Sequence, residues 1–500
     1  MNDTTSGTVD LFVIGGGING TGIANDAAGR GLSVALCEQG DLAGATSSAS
    51  SKLIHGGLRY LEHREFRLVR EALHEREILL AKAPHIIWPL RFLLPHRPHL
   101  RPAWMLRAGL FLYDHLGRRQ QLAASRSVRF TADQGLAPDI SRGFEYADCW
   151  VDDARLVLLN ALQAHQRGAE IHVRTRCVDA REVGGHWELT LEDMATGQRV
   201  VRQARTLVNA AGPWVEQVVR DRSHRRSRYA VRMIRGSHLI VPRRNLDERA
   251  FILQNTDRRI VFVLPYEDDF SLIGTTDCRH DGDPGRVTAS ESEIDYLLAV
   301  VNDHFRTPLT RADVLHTFAG VRPLCDDESA DPTAMTRDYT LDLDDDGVPL
   351  LSVFGGKITT YRKLAESALE RLAPHLPPMS APWTAAAPLP GGDIGTQEGF
   401  RTALHSDYPF LSDGQVRRFA RTYGSLCHHF LADAKRPDDL GEHFGAGLTR
   451  AEVDYLIDHE WARDADDILW RRTKLGLRLT PDQAERLARY IAHHRRAVAA

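Results

Sequence analysis

The sequence predicts an α/β chain with an α-helical addition: a Rossmann-like nucleotide-binding domain, a sheet domain with antiparallel pairing, and helices at the C-terminus. Three observations predict it. A short apolar run at 10–14 ends in Gly15-Gly16-Gly17-Ile18-Asn19-Gly20. Strand candidates cluster at 186–191, 237–241, 259–264 and 270–274, as a mixed or antiparallel sheet needs. The last hundred residues carry helix starts: Thr449-Arg450-Ala451-Glu452 is a capping box, and Thr480-Pro481-Asp482-Gln483 combines an N-cap with proline at the first helical position.

The first element contains GxGxxG at Gly15, Gly17 and Gly20. Ala24, Ala28 and Gly31 follow at spacings that let a helix pack closely on a sheet, and 33–37 reads as the next strand, ending at Glu38. A tight turn lets backbone N–H groups and the positive helix end approach a pyrophosphate, while an acidic side chain accepts the ribose hydroxyl. The loop alone does not separate FAD from NAD. The run from Ala45 to Tyr60 does: Thr46, Ser47, Ser48, Ser50 and Ser51, then Lys52, His55, Gly56 and Gly57, supply many donors and close backbone approach to a polar ligand. A solvated serine loop would not interleave Leu53, Ile54, Leu58 and Tyr60.

A helical stripe then runs through 61–83, with Leu68, Val69, Ala72, Leu73, Leu79 and Leu80, and stops before Pro84. Between 84 and 117, apolar and aromatic residues including Trp88, Phe92, Trp104, Met105, Phe111 and Tyr113 alternate with Arg91, Arg97, Arg101 and Arg107, a mixture suited to a membrane surface or to packing between domains. Residues 205–209 read as a strand entering Ala210-Ala211-Gly212-Pro213-Trp214, and 351–354 lead into Gly355-Gly356-Lys357. Six prolines between 374 and 390 read as a stiff linker.

Composition narrows the class. With 43% hydrophobic and 26% charged residues in 500, the chain reads as globular protein of two or three domains. The net charge of -4 excludes a general nucleic-acid binder. Six scattered cysteines without a CxxC pair suit a reducing compartment, and the polar start with Asp3 and Asp10 is not a signal peptide. No metal is expected, since His96 and His99 stand among arginines without a ligand cluster.

With these segments in view, the sequence closely resembles the FAD-dependent, respiratory (aerobic-type) glycerol-3-phosphate dehydrogenases, nearly end to end. The resemblance is carried by the nucleotide loop and by SSASSKLIHGGLRYLEH (47–63), LPHRPHLRPAW (94–104), FEYADCWVDDARLV (144–157), IRGSH (234–238), IGTTD (273–277), GVRPLCDDE (320–328), TRDY (336–339) and VFGGKITTYRKLAE (353–366). It implies a two-domain FAD-binding fold of the amino-acid-oxidase type, with an antiparallel-sheet substrate domain and a helical C-terminal domain. The FAD domain is placed at 1–83, 144–232 and 314–373. A cap and membrane-contact region is placed at 84–143, the substrate sheet at 233–313, the linker at 374–392 and the helices at 393–500.

The resemblance also implies the chemistry: glycerol 3-phosphate oxidised to dihydroxyacetone phosphate, with a membrane quinone, ubiquinone or menaquinone, as acceptor. Beyond Gly15, Gly17 and Gly20, FAD contacts are expected at Ile18, Asn19, Glu38, Gln39, Thr46, Ser47, Ser51, Lys52, Leu53, His55, Gly57, Cys177, Ala210, Ala211, Gly212, Trp214, Gly356, Lys357, Thr359 and Thr360. Guanidinium groups bind two phosphate oxygens at once, which nominates Arg59, Arg322 and Arg337, with Lys357 as a further cation and Tyr60, Thr275 and Asp277 beside them. His238 is the candidate for hydroxyl proton removal; the alternative is that Arg322 or Lys357 stabilises the alkoxide while another group, or water, takes the proton. Peripheral association with the inner face of the cell membrane, a cytoplasmic location and a homodimer complete the expectation. Two rivals share the fold: an oxidase that reduces oxygen, and an amine or amino-acid oxidase, which would want one carboxylate-binding arginine. A flavin-binding protein without turnover is a third.

Overall fold

The computed structural model describes residues 7–499 apart from 63, 118, 244–246 and 326–338, and gives the backbone alone for Arg59 and 496–499. Strand Val9–Ile14 is almost wholly apolar and buried, as a parallel strand covered on both faces should be. It pairs in parallel with Val34–Cys37 on one side and with Arg199–Asn209 on the other. Glu170–His172 extends the sheet beyond Val34–Cys37; Leu350–Phe354 extends it beyond Arg199–Asn209, and antiparallel Thr340–Asp344 closes that edge. Helices Ile18–Gly29, Asp153–Gln166 and Tyr361–Leu372 bring Ile23, Ala24, Ala27, Leu158, Ala161, Leu364 and Ala368 against it.

The strand expected at 186–191 is His186–Asp193, and it belongs beside this first sheet. The reason is local. Gly184 and Gly185 both take positive φ, 59° and 80°, which is what a two-residue hairpin turn demands. The turn folds His186–Asp193 back onto Thr175–Val183, and its other edge pairs with Arg199–Asn209.

Among the described residues the second sheet has ten strands, and most of its neighbours are antiparallel. Its centre is Val231–Pro242, Phe270–Gly274, Ile260–Tyr266 and Ala250–Gln254, with His316–Cys325 on the far edge of Val231–Pro242. Ile87–Pro95 then joins in parallel, followed by Arg142–Val151 and the short Leu53–Ile54. Thus 144–151 and 316–325, expected within the cofactor domain, belong to strands of the second sheet. Sequence alternation cannot tell which sheet a strand joins.

The region 84–117 divides in two. Ile87–Pro95 is a core strand with Ile87, Phe92, Leu93 and Leu94 buried, whereas helix Ala103–Leu116 buries Leu110 and Tyr113 and exposes Trp104 (75%), Met105, Phe111 (55%) and Leu112. Among the described residues no helix is long and apolar enough to cross a membrane.

Side chains alternate across the second sheet. Leu239 and Val241 face helix Glu291–His304 through Leu297, Leu298 and Val301, while Ile240 and Leu272 face the opposite way, with Phe262 and Phe318. The C-terminal helices are tied to the first sheet's side by buried charge. Arg155 donates to Glu460 at 2.9 Å, Arg472 donates to Asp41 at 2.8 Å, and Lys474 pairs with Asp152. The proline-rich segment expected as a linker is packed against the first domain: Leu389 N–H donates to Lys82 O, Gln163 to Pro388 O and Trp383 to Asp26 O.

Candidate active site

Ile14 lies level with Cys37 on one side and Asn209 on the other, and Asn209 lies level with Ser352. The carboxyl ends of four parallel strands therefore share one edge, the position at which open α/β sheets bind ligands. The chain leaves that edge through Gly15, Glu38, Ala210 and Gly355.

At the first exit only glycine fits. Gly15 takes φ +114°, and a Cβ there would stand 2.5 Å from Ala210 O; at Gly20 it would stand 1.9 Å from Gly15 O. The helix that begins at Ile18 thus starts against the strand ends with Gly17 as its N-cap. Glu38 accepts from Gly16 N–H and Gly40 N–H, both at 2.7 Å, and burial raises its carboxyl pKa against the effect of those bonds. Gln39 is exposed beside it. Asn19 donates to Gly355 O at 3.1 Å, and its Oδ1 is buried without a partner. Gly356 (φ +104°) gives Asn19 its room, and Thr359 and Thr360 are buried behind. Ala211, Gly212 and Trp214 are half-buried at the Ala210 exit.

The serine-rich run bridges the two sheets. Ser47 Oγ accepts from Ile18 N–H at 3.0 Å, Thr46 donates to Val321 O at 2.6 Å, and Ser51 Oγ lies 2.9 Å from His238 Nε2. Ala49 seats on Gly320, where a Cβ would come within 2.6 Å. His55 N–H donates to Thr359 at 3.3 Å, and Gly57 (φ +73°) turns beneath the Tyr60 ring.

Several residues expected to touch the cofactor are placed otherwise. Lys52 is buried and spends its ammonium on Asp153 (2.6 Å) and Ser48 O (3.1 Å), so it braces the serine run from within. The Leu53 side chain lies in the second sheet's core. The Cys177 side chain lies among Cys37, Phe12 and Trp187, donating to Asp179 O at 3.4 Å. For these two, backbone atoms alone are left to face a ligand.

On the second sheet His238 pairs across from Gly274 and Phe318, Gly236 from Gly320, and Ile234 from Arg322. Directly opposed residues share a face, so His238, Phe318 and Arg322 all point toward the serine run. Gly274 and Gly236 leave space for them: a Cβ at Gly274 would meet the His238 ring at 2.1 Å, and one at Gly236 the Arg322 guanidinium at 2.3 Å. Arg322 donates to Asp277 at 2.5 Å and to Thr276 O at 2.6 Å. Asp277, expected at the substrate, is thereby engaged in orienting Arg322. Thr275 donates to Thr276 O at 3.3 Å. Lys357 Nζ stands 4.2 Å from the Tyr60 ring centroid, a cation–π contact. Arg337 and the Arg59 side chain lie outside the described residues.

His238 is 2% exposed, stacks on Phe318 with centroids 4.8 Å apart, and has a buried Nδ1 without a partner. Burial, then the charges of Arg322 and Lys52, lower its pKa to about 3, so the ring is neutral at physiological pH. One residue had no place in the sequence reading. Glu293, on helix Glu291–His304, is buried directly behind this face and bonds Ser237 and Thr276.

These residues fit FAD. The strand ends open onto Gly15, Ala210 and Gly355, a Cβ at Gly15 would overlap Ala210 O, a helix N-terminus faces them, and Asn19 Oδ1 is buried without a partner. The arrangement is that of a dinucleotide-dependent oxidoreductase. Residues 10–362 match the FAD dependent oxidoreductases, and 382–496 match the C-terminal domain of alpha-glycerophosphate oxidase. The glycerol-3-phosphate dehydrogenase of Pseudomonas aeruginosa is 61% identical over 485 residues, covering 96% of this chain and 94% of that protein. The aerobic glycerol-3-phosphate dehydrogenase of Escherichia coli is 58% identical over 490 residues, covering 97% and 98%. The crystal structure of the glycerol-3-phosphate dehydrogenase of Bacillus halodurans complexed with FAD superposes with a TM-score of 0.74 at 27% identity, covering 98% of this chain and 95% of that one. The chain belongs to the FAD-dependent, aerobic-type glycerol-3-phosphate dehydrogenase family.

A neutral His238 has a consequence for pH dependence. A lowered histidine pKa moves the acid limb of kcat/KM far below the ordinary value of about 6.5, whereas a bound phosphate dianion raises it again in the complex. The substrate's own phosphate ionises near pH ~6 and contributes in every variant. Wild-type enzyme and His238→Gln should therefore show the same limb in kcat/KM between about pH 5.5 and 8; a limb near 6.5 that the substitution abolishes would contradict the neutral ring.

Proposed function

We propose that the enzyme oxidises the C2 carbinol of sn-glycerol 3-phosphate to dihydroxyacetone phosphate in the cleft between the strand-end edge and the His238–Arg322 face. The observation that carries this reading is Arg322, a guanidinium fixed by Asp277 and Thr276 O next to a buried neutral imidazole. FAD, when bound, supplies the two-electron acceptor for the hydrogen on the carbinol carbon. The chain does the rest. Arg322 and Lys357, joined by Arg59 and Arg337, hold the phosphate, and Tyr60 backs the Lys357 ammonium. His238 accepts the hydroxyl proton: its ring is unprotonated before substrate arrives, and the incoming phosphate charge raises its basicity when it is needed. Lys357 stabilises the alkoxide as it forms.

A membrane quinone, ubiquinone or menaquinone, takes the electrons onward. The protein works as a homodimer in the cytoplasm, resting on the inner face of the membrane. Helix Ala103–Leu116 supports this part of the reading, because it turns Trp104, Met105, Phe111 and Leu112 to solvent on one side. Aromatic and apolar side chains on one helical face suit the headgroup boundary of a bilayer.

Two outcomes test the reading. Arg322→Ala should lower the rate constant for anaerobic bleaching of bound flavin by glycerol 3-phosphate about 10- to 100-fold, the value of a charge-assisted hydrogen bond. Bleaching by glycerol, which has no phosphate, should be much less affected, and equal losses with both substrates would contradict the assignment. Replacing Trp104 and Phe111 by Ser should abolish co-sedimentation with phosphatidylglycerol vesicles at low salt while leaving bleaching by glycerol 3-phosphate unchanged. Undiminished co-sedimentation would move the membrane contact elsewhere.

A further inference from the structure

The two residues that face the substrate, His238 and Arg322, are held from behind by one carboxylate. Alternation along strand Val231–Pro242 sends Ser237 to the opposite face from His238, and Thr276 likewise turns away from the site between Thr275 and Asp277. Both meet Glu293: Ser237 Oγ donates to Glu293 Oε1 at 2.9 Å and Thr276 Oγ1 at 2.6 Å. Thr276 Oγ1 also accepts from Ser237 N–H at 2.9 Å, which closes a ring of three residues. The Thr276 peptide presents its carbonyl to the Arg322 guanidinium, and the next side chain, Asp277, takes the other arm.

Glu293 has an ordinary role as well. Its Oε2 completes a capping box with Ser290, accepting from the Ser290 N–H (3.0 Å) and Oγ (2.7 Å), and pairs with Arg235 at 2.8 Å. A capping box needs one oxygen, and glutamine serves it as well as glutamate. The second oxygen and the charge are in excess of that need. Burial alone would raise the carboxyl pKa, but the bonds from Thr276, Ser290 and Ser237 outweigh it and hold it at about 2. An ionised carboxylate accepts at both oxygens, whereas an amide offers one acceptor and one donor. In a glutamine that keeps the cap, the amine would face two hydroxyls that now donate.

We propose that Glu293 is a positioning residue for the oxidation: through Thr276 it sets the Thr275–Asp277 segment that aims Arg322 at the substrate phosphate. The effect falls on binding. Arg322 depends on Thr276 and Asp277 for both arms of its guanidinium, while His238 depends on Ser237 through backbone alone and keeps its own stack on Phe318.

The inference rests on the assignment of Arg322 to the phosphate, so the test carries Arg322→Ala beside it. Affinity for dihydroxyacetone phosphate, measured by calorimetry on the flavin-loaded protein, is read together with KM, kcat and Tm. Glu293→Gln should weaken product affinity and raise KM about tenfold while kcat stays within about twofold and Tm is nearly unchanged. Thr276→Val should do the same, and the double variant should lose no more than either single one. Ser290→Ala, which removes the cap and leaves the Ser237 and Thr276 bonds to Glu293 Oε1 in place, should lower Tm and leave KM alone. Unchanged affinity in Glu293→Gln, or losses that track Tm as in Ser290→Ala, overturns the positioning role. Unchanged affinity in Arg322→Ala overturns the phosphate assignment instead.

Discussion

The structure depends on one steric constraint: the carboxyl ends of the parallel strands must reach a ligand without side chains in the way. At Gly15 and Gly20 the neighbouring backbone is so close that a single Cβ would overlap a carbonyl oxygen. That closeness draws three segments, separated by more than a hundred residues each, onto one edge in register. The serine run can then act as a bridge because Ser47 bonds the loop on one side while Thr46 and Ser51 bond the second sheet on the other. The distance between the cofactor edge and the His238–Arg322 face is set by this short stretch of hydroxyls.

Charge is arranged in two tiers around that bridge. Facing the cleft, Arg322 and Lys357 are cations steadied by Asp277 and the Tyr60 ring, while burial, then the charges of Arg322 and Lys52, keep His238 neutral. Behind it, charges are paired away from solvent: Lys52 with Asp153 and Arg155 with Glu460. Leaving either member of such a pair alone costs several kcal/mol, so these pairs fix geometry even where their net contribution to stability is small. The neighbours Asp152 and Asp153 connect the tiers, one holding the C-terminal domain through Lys474 and the other holding the serine run through Lys52.

What was legible in the sequence was whatever a local pattern dictates. The Gly15–Gly20 turn, Glu38 after its strand, and the exits at Ala210 and Gly355 are each spelled by adjacent residues, and motif resemblance picked out His238, Arg322 and Lys357. Long-range pairing was not legible. Nothing near Lys52 shows that its partner is Asp153, 101 residues on. Equally, the apolar pattern of 84–117 does not reveal that Ile87–Pro95 will be covered by a sheet and Trp104 left bare. The Ser290-x-x-Glu293 spacing signals a helix start, which is the one trace Glu293 leaves in the sequence; its contact with Thr276 arises only when the helix packs behind the sheet. Prolines at 374–390 read as a stiff linker because composition reports stiffness and says nothing of docking.

The most direct measurement is a crystal structure of the flavin-loaded enzyme with glycerol 3-phosphate soaked in under reducing conditions. The account predicts phosphate oxygens within hydrogen-bond distance of the Arg322 guanidinium, the C2 hydroxyl beside the His238 ring, and the flavin running from the Gly15–Gly20 turn past Ser47 and Gly356. Phosphate bound away from Arg322, or a C2 hydroxyl on the far side of the cleft from His238, would contradict it.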